Sequence, residues 1–435
     1  MLDDFFSRYK SHQVPSATAY VLAYDGASVE IGATATHIGA MCKIIATSGL
    51  EYFGEIIKIG VDRNVVSLYE DNCTIAVGDE VHVSKNTTSI AVGSELLGRV
   101  IDSCGNFLDA LGDQKLSDRW PLHGEKINPA TRQKVSSALD VGIRSINAAL
   151  TLGKGQRIGI FAGSGVGKSS LISMITDFTQ ADVIVVGLIG ERGREVSDFV
   201  QKSANSPNLQ KTIIVAEPAD SSPLLRLKGV QRATAISEYF REQGKDVLLI
   251  LDSLTRVAHA QREIGLSRGE APITKGYTPS VLNLLPKLIE RAGCKSGTTG
   301  SITAIYTVLA DGDDLISDPI VDTARAILDG HIVLSRSYAQ HGIFPAIDLT
   351  MSVSRIMNDV VDAEHVKLAE RLKTLIATYF DNRDLVLLGG YTRGQNTDLD
   401  LSHDIWPQIL DFLKQDQSSS ELFSDSHAQL SKLLS

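Results

Sequence analysis

The stretch Ala162-Gly-Ser-Gly-Val-Gly-Lys-Ser169 lies between a short apolar run, Arg157 to Phe161, and a segment that puts Leu171, Ile172, Met174, Ile175 and Phe178 on one helical face. A strand, a glycine-rich loop and a helix in that order suit one kind of ligand. A triphosphate needs backbone N–H donors at close range, which glycines allow, and it gains from a helix N-terminus aimed at the anion. Lys168 can reach the β- and γ-phosphates, and the Ser169 hydroxyl can ligate Mg²⁺. Gly163, Gly165, Val166, Gly167 and Ser170 complete the expected nucleotide contacts. The strict pattern has Gly where this chain has Ala162, but Gly163 and Gly165 keep the loop flexible. An incidental glycine-rich turn is the alternative, and the flanking strand and helix argue against it.

Outward from the loop, apolar strands alternate with helices. Val183 to Ile189 is a near-continuous apolar run, as in a strand covered on both faces. Thr212 to Val215, Val247 to Leu251 and Ser301 to Leu309 repeat it. Asp220-Ser-Ser-Pro223 reads as a helix start, with a capping side chain before a proline, and that helix should run to about Gln243 and stop at Gly244. This alternation predicts a mostly parallel, helix-covered sheet. Two carboxylates then fall at the sheet edge that carries the loop. Asp252 ends the run from Val247 and is expected to support Mg²⁺ and its waters. Glu191, in Gly190-Glu-Arg-Gly-Arg-Glu195, follows the strand ending at Ile189 and can orient a water for in-line attack.

Before this core, Tyr20–Tyr24, Ser28–Ile31, Met41–Ile45, Gly54–Ile59, Val65–Tyr69 and Glu80–Val83 read as short strands of a small β-barrel or sandwich. Lys85 to Ile90 reads as a linker. After about residue 358 the chain reads as helical, with a break at Asp416 to Ser420 before a last short helix. The 435 residues suit roughly two to three domains. An apolar share of 43% excludes a disordered chain. A net charge of −10 argues against a nonspecific nucleic-acid binder. No apolar run approaches a membrane span, and Met1 to Lys10 shows no secretory signal. Cys42, Cys73, Cys104 and Cys294 lie far apart, so reduced thiols in a cytosolic protein are expected rather than a zinc site or a disulfide framework.

GERGRE at 190–195, DSLTR at 252–256, QREIGLSRGE at 261–270, ITAIYTVLADGDD at 302–314, ILDGHIVLSR at 327–336, FPAID at 344–348 and LLGRVID at 96–102 together resemble the rotary ATPase catalytic-subunit superfamily. Within it the chain looks like the export ATPases of type III secretion and flagellar export, over essentially its whole length. The resemblance implies an α/β multidomain fold: a β-barrel over 1–85, a RecA-like P-loop core over 86–357 and a helical domain over 358–435. It implies ATP and Mg²⁺ as substrate and metal. Lys168 and Ser169 match the phosphate-loop lysine and the Mg²⁺ hydroxyl, and Glu191 matches the carboxylate that polarises the attacking water. Arg192 and Glu195 match residues that order the base and the Mg²⁺ waters. Asp252 matches the Mg²⁺-side carboxylate, and Arg256 a phosphate-side arginine. Arg355 matches the arginine finger, Phe344 an aromatic that stacks on adenine, and Tyr391 a residue packing on the other side of the base. The chain departs from the pattern at Asn147, where the family usually has Asp, at Leu315 to Asp318, and at Thr278.

Glu191 and Arg355 lie in one chain. A finger acts across an interface, so a closed head-to-tail ring of identical subunits makes every interface catalytic, and a homohexamer is expected. The resemblance further implies a central stalk protein, an elongated stator-like regulator, an export gate and chaperone–substrate complexes as partners. It implies a cytoplasmic position at the inner membrane of a bacterium, with membrane contact only through partners and no nucleic acid. A virulence-type secretion system is expected ahead of a flagellar one, because the chain begins close to the barrel. The alternatives are a hexameric RNA helicase of the transcription-terminator type and a non-catalytic nucleotide-binding ring subunit.

Overall fold

The computed structural model describes residues 17–26, 28–70, 72–84, 89–125, 127–309 and 318–435. The expectation for Met1 to Lys10, and the part of the Leu315 to Asp318 stretch before Asp318, lie outside these residues. Six strands, Ala17–Tyr24, Ser28–Gly32, Met41–Ile45, Glu51–Ile59, Arg63–Leu68 and Glu80–Val83, close into a barrel. Alternation closes it: Val29, Ile31, Cys42, Ile44, Ile56, Val66, Val81 and Val83 point inward and are buried, with polar residues between them.

Part of the expected linker is structured. Ser89–Val92 is a strand, paired antiparallel with Asp118–Pro121. Both pack on the central core through Ile90, Val92 and Trp120.

That core is a mainly parallel sheet. Its order runs from Ile347–Ser354 through Gly330–Leu334, Arg157–Ala162, Ser301–Leu309, Asp246–Asp252, Val183–Ile189 and Thr212–Glu217 to Val100–Ile101. Ile347–Ser354 is antiparallel to its neighbour, and the two-residue strand Gly293–Cys294 adds antiparallel to Ser301–Leu309. The central strands are buried along nearly their whole length because helices cover both faces. One face packs Pro223–Glu242, Leu254–Ser267 and Pro279–Ile289; the other packs Lys168–Phe178 and the C-terminal helices.

The helix Pro223–Glu242 stops before Gly244, whose φ is +79°, as expected. Its start differs from expectation. Ser222 holds the N-cap position, but its Oγ is buried and accepts no hydrogen bond, so the proline and the backbone set this terminus.

Beyond the sheet come Ala363–Leu387, Thr397–Asp404, Trp406–Leu413 and Phe423–Leu434, with the break where it was expected. Asn147 joins this region to the core. Its Nδ2 donates to Asp140 Oδ1 at 2.7 Å and to the Glu421 carbonyl at 3.0 Å, and its Oδ1 accepts from the Val141 amide at 3.3 Å. An aspartate offers no such donors, which gives the departure at this position a physical reason.

The barrel is tied to the core by Lys228, whose Nζ lies 2.7 Å from Glu55 Oε1 and 2.6 Å from the Tyr69 hydroxyl. All four cysteines are free thiols, and burial pushes Cys42 up to about 12 and Cys104 up to about 11. Among the described residues, no helix is long and apolar enough to cross a membrane.

Candidate active site

The parallel strands deliver their C-terminal ends to one edge, and the phosphate loop, Glu191 and Asp252 all emerge there. Gly165 and Gly167 have φ of +77° and +89°, conformations that the loop needs in order to turn its amides inward. A side chain at Gly165 would meet nothing, so the loop is open on that side. Lys168 begins the helix Lys168–Phe178 and is buried, while Ser169 is exposed at the same N-terminus.

The Lys168 ammonium lies 3.3 Å from Glu191 Oε1 and is hydrogen-bonded to Asp252 Oδ1. All three residues are buried. Burial pushes the Asp252 carboxyl above the ordinary range and nearby Glu191 adds to the rise, while Lys168 and Thr307 oppose it. Thr307 donates to Asp252 Oδ1 at 2.7 Å. The sequence reading missed Thr307. No local signal marks it: only the strand register, in which Leu251 pairs with Tyr306, puts Thr307 beside Asp252.

The backbone around the base is held on both sides. The Gly190 amide donates to the Glu217 carbonyl at 2.7 Å, and the Ala219 amide to the Glu191 carbonyl at 2.9 Å. Gly190 has φ +72°, and a Cβ there would stand 2.7 Å from Arg256 Cβ, so the arginine packs directly over this turn. Arg256 Nε is buried and makes no hydrogen bond among the described residues. A donor left unspent beside Glu191 suits an anionic ligand. Phe344 also reaches the loop. It is 39% exposed, and a Cβ on Gly167 would lie 3.4 Å from its ring.

Other expected residues lie apart from this cluster. Arg192 and Glu195 face outward at the start of the helix Gly193–Ser203, 4.0 Å from each other. Neither bonds to Lys168 or Asp252 among the described residues. Tyr391 spends its hydroxyl within its own loop, on the Asn396 carbonyl at 3.0 Å and Asp400 Oδ1 at 2.9 Å, and makes no ring contact with Phe344. Arg355 stands at the opposite edge of the sheet. It follows Ser354, which pairs with Gly330, whereas the loop follows Ala162, which pairs with Leu334. Its guanidinium donates to the carbonyls of Leu328 at 3.2 Å and Arg325 at 3.4 Å.

The donor set fits a magnesium nucleotide. Mg²⁺ binds through one or two protein oxygens together with substrate phosphates, not in an all-protein cage. Ser169 and Asp252 supply such oxygens, and the described residues hold no cluster of three or more metal-ligating side chains.

Comparison with known proteins agrees with this geometry. Residues 142–354 match the model of the ATP synthase alpha/beta family, nucleotide-binding domain, and residues 361–432 match that of the T3SS EscN ATPase C-terminal domain. The chain is 46% identical over 423 residues to the flagellum-specific ATP synthase of Pseudomonas aeruginosa, covering 97% of this chain and 94% of that one. It is 45% identical to that of Salmonella typhimurium, covering 92% and 88%. It superposes on the assembled ATPase EscN of the enteropathogenic E. coli type III secretion system with a TM-score of 0.90 and 40% identity, covering 96% of this chain and 100% of that one. EscN in complex with its central stalk EscO gives a TM-score of 0.88, again at 40% identity, covering 96% and 100%. With its phosphate loop, its paired carboxylates and likenesses that run almost end to end, this chain belongs to the P-loop ATPase family of the flagellum-specific ATP synthases and the type III secretion ATPase EscN.

Proposed function

We propose that the protein hydrolyses ATP as a homohexamer and that the hydrolysis energises protein export through a type III secretion apparatus, detaching chaperones and helping to unfold exported proteins. The observation that carries the ring is the placement of Arg355 at the sheet edge opposite its own phosphate loop. A residue so placed serves a neighbour's nucleotide better than its own.

Lys168 and the loop amides bind the β- and γ-phosphates, Arg256 faces them from the Glu191 side, and Phe344 shelves the adenine. Ser169 and Asp252 would hold Mg²⁺, which would supply charge neutralisation on the phosphates. Thr307 keeps the Asp252 carboxylate turned toward Lys168. Glu191 orients the attacking water. The neighbour's Arg355 equivalent stabilises the transition-state charge, an effect worth roughly 10³–10⁵ in rate.

A central stalk protein would fit this chain as EscO fits EscN. An elongated regulator, the export gate and chaperone–substrate complexes are its other partners. Its place is the cytoplasmic face of the bacterial inner membrane, reached through those partners. A flagellar export system is the second reading, favoured by the flagellum-specific relatives at 46% and 45% identity.

ATPase rate per subunit, measured against protein concentration, tests the ring. The rate should rise steeply as subunits assemble, and a flat profile down to verified monomer would rule the ring out. Deleting the gene and assaying culture supernatants tests the system: loss of hook and rod proteins alone selects the flagellar reading.

A further inference from the structure

The strand that ends in the phosphate loop begins beside Arg355. Arg157 opens it, and Gln156 stands just before it. Arg157 pairs with Asp329 through Nε to Oδ2 and Nη2 to Oδ1, both at 3.0 Å, and its amide donates to Oδ2 at 3.0 Å. The Asp329 amide returns a bond to the Arg157 carbonyl at 2.8 Å. The Asp329 carbonyl accepts the Arg355 amide at 2.9 Å. Gln156 is fully buried. Its Oε1 accepts from the Gly153 amide at 2.9 Å, and its Nε2 donates to Ser354 Oγ at 3.0 Å and to the Asp329 carbonyl at 3.4 Å. Ser354 Oγ in turn donates to the Thr151 carbonyl at 2.9 Å. The backbone from which Arg355 projects is therefore fastened to the first residues of the phosphate-loop strand.

We propose that Gln156, Arg157 and Asp329 are positioning residues for Arg355, coupling the arginine a subunit offers its neighbour to the phosphate loop that holds its own nucleotide. The inference rests on the reading that Arg355 acts across a subunit interface. The strand Arg157–Ala162 is six residues long and buried over all but its first residue, so a shift at one end is carried to the other rather than absorbed. The bidentate Arg157–Asp329 pair fixes orientation as well as distance, which a single hydrogen bond does not. An ion pair that merely braces the sheet edge would give the same contacts, but it would not act in one direction across an interface.

Mixed rings separate the two. Glu191→Gln chains lack the base and Arg355→Ala chains lack the finger, so a mixture regains activity at the interfaces where each supplies what the other lacks. Asp329→Asn placed in the Glu191→Gln chain, which supplies the finger, should lower the regained rate about tenfold, because small misplacements of a catalytic group cost that much or more. The same substitution in the Arg355→Ala chain should leave the regained rate nearly unchanged. In rings of Asp329→Asn alone, kcat should fall with KM unchanged, and ADP binding to dilute subunits should match that of the parent chain. Ser354→Ala, which deletes one hydroxyl, should show the same asymmetry more weakly, and it carries the test if Asp329→Asn does not fold. Equal loss from both placements, or loss only in the base-supplying chain, overturns the proposal. A mixture of Glu191→Gln and Arg355→Ala that regains nothing sinks the cross-interface reading itself, and the positioning role with it.

Discussion

Lys168 and Arg355 stand at opposite edges of the same parallel sheet. Lys168 lies beyond Ala162, which pairs with Leu334, and Arg355 lies beyond Ser354, which pairs with Gly330. The four steps between Gly330 and Leu334 alone span about 13 Å along the strand. One fold therefore presents a phosphate loop at one edge and an arginine at the other, so in the proposed ring an edge-to-edge joint would complete each site with its neighbour's arginine.

Lys168→Ala and Glu191→Gln separate binding from chemistry. The first removes the cation at the helix N-terminus, and a fluorescent ADP analogue should lose its affinity along with turnover. The second keeps the hydrogen-bonding shape but not the charge. Binding and assembly should persist while turnover falls by roughly 10²–10⁴. A Glu191→Gln chain that still turned over at the parent rate would remove Glu191 as the base.

Arg355→Ala should leave nucleotide affinity of dilute subunits intact, since the guanidinium's hydrogen bonds go to carbonyls at its own sheet edge. In the assembled ring the rate should drop by roughly 10³ or more. Steady-state hydrolysis at saturating ATP checks it, and full ring activity would remove Arg355 from the site.

Asn147→Asp should destabilise the protein by about 2–4 kcal/mol, because a carboxylate set against Asp140 repels it and the two amide donors are lost. Chemical denaturation at neutral pH measures the loss. The penalty should shrink in acid, where a shared proton restores one donor.

Arg99 and Asp109 give a pH test. They form a bidentate pair, at 2.9 Å between Nε and Oδ2 and 2.6 Å between Nη2 and Oδ1. Burial alone would raise the Asp109 carboxyl, but Arg99 and the amides of Val100 and Leu111 outweigh it and hold it below the ordinary range. A lowered carboxylate stabilises the fold above its unfolded value of about 3.9, and that stability is lost as pH falls through the folded value. Asp109→Asn should therefore cost about 2 kcal/mol at neutral pH. The gap between Asp109→Asn and the parent chain in melting experiments should close below about pH 4. A gap independent of pH would show that the charge contributes nothing.

The sequence by itself determined the elements and the chemistry of the loop. Short runs rich in β-branched and aromatic residues, with Gly, Asn and Asp between, marked the six barrel strands; continuous apolar runs marked the central strands, and Gly244 and the Asp416–Ser420 break marked helix ends. These signals are local, set by a few consecutive side chains. Gly163 to Ser169 was legible for the same reason, since its spacing follows from the size of a phosphate. Tertiary structure decided what depends on register and on chain-distant partners. Thr307 became a partner of Asp252 only because two parallel strands align Leu251 with Tyr306. Asn147 acquired a role only when Glu421 came to its amide. Ser222 fits the sequence rule for a cap but makes no cap, because its hydroxyl is buried away from the amides it would serve. Arg355 and Lys168 are separated by the sheet's direction, which appears in no local pattern, and on that separation rests the proposal that the arginine serves a neighbour.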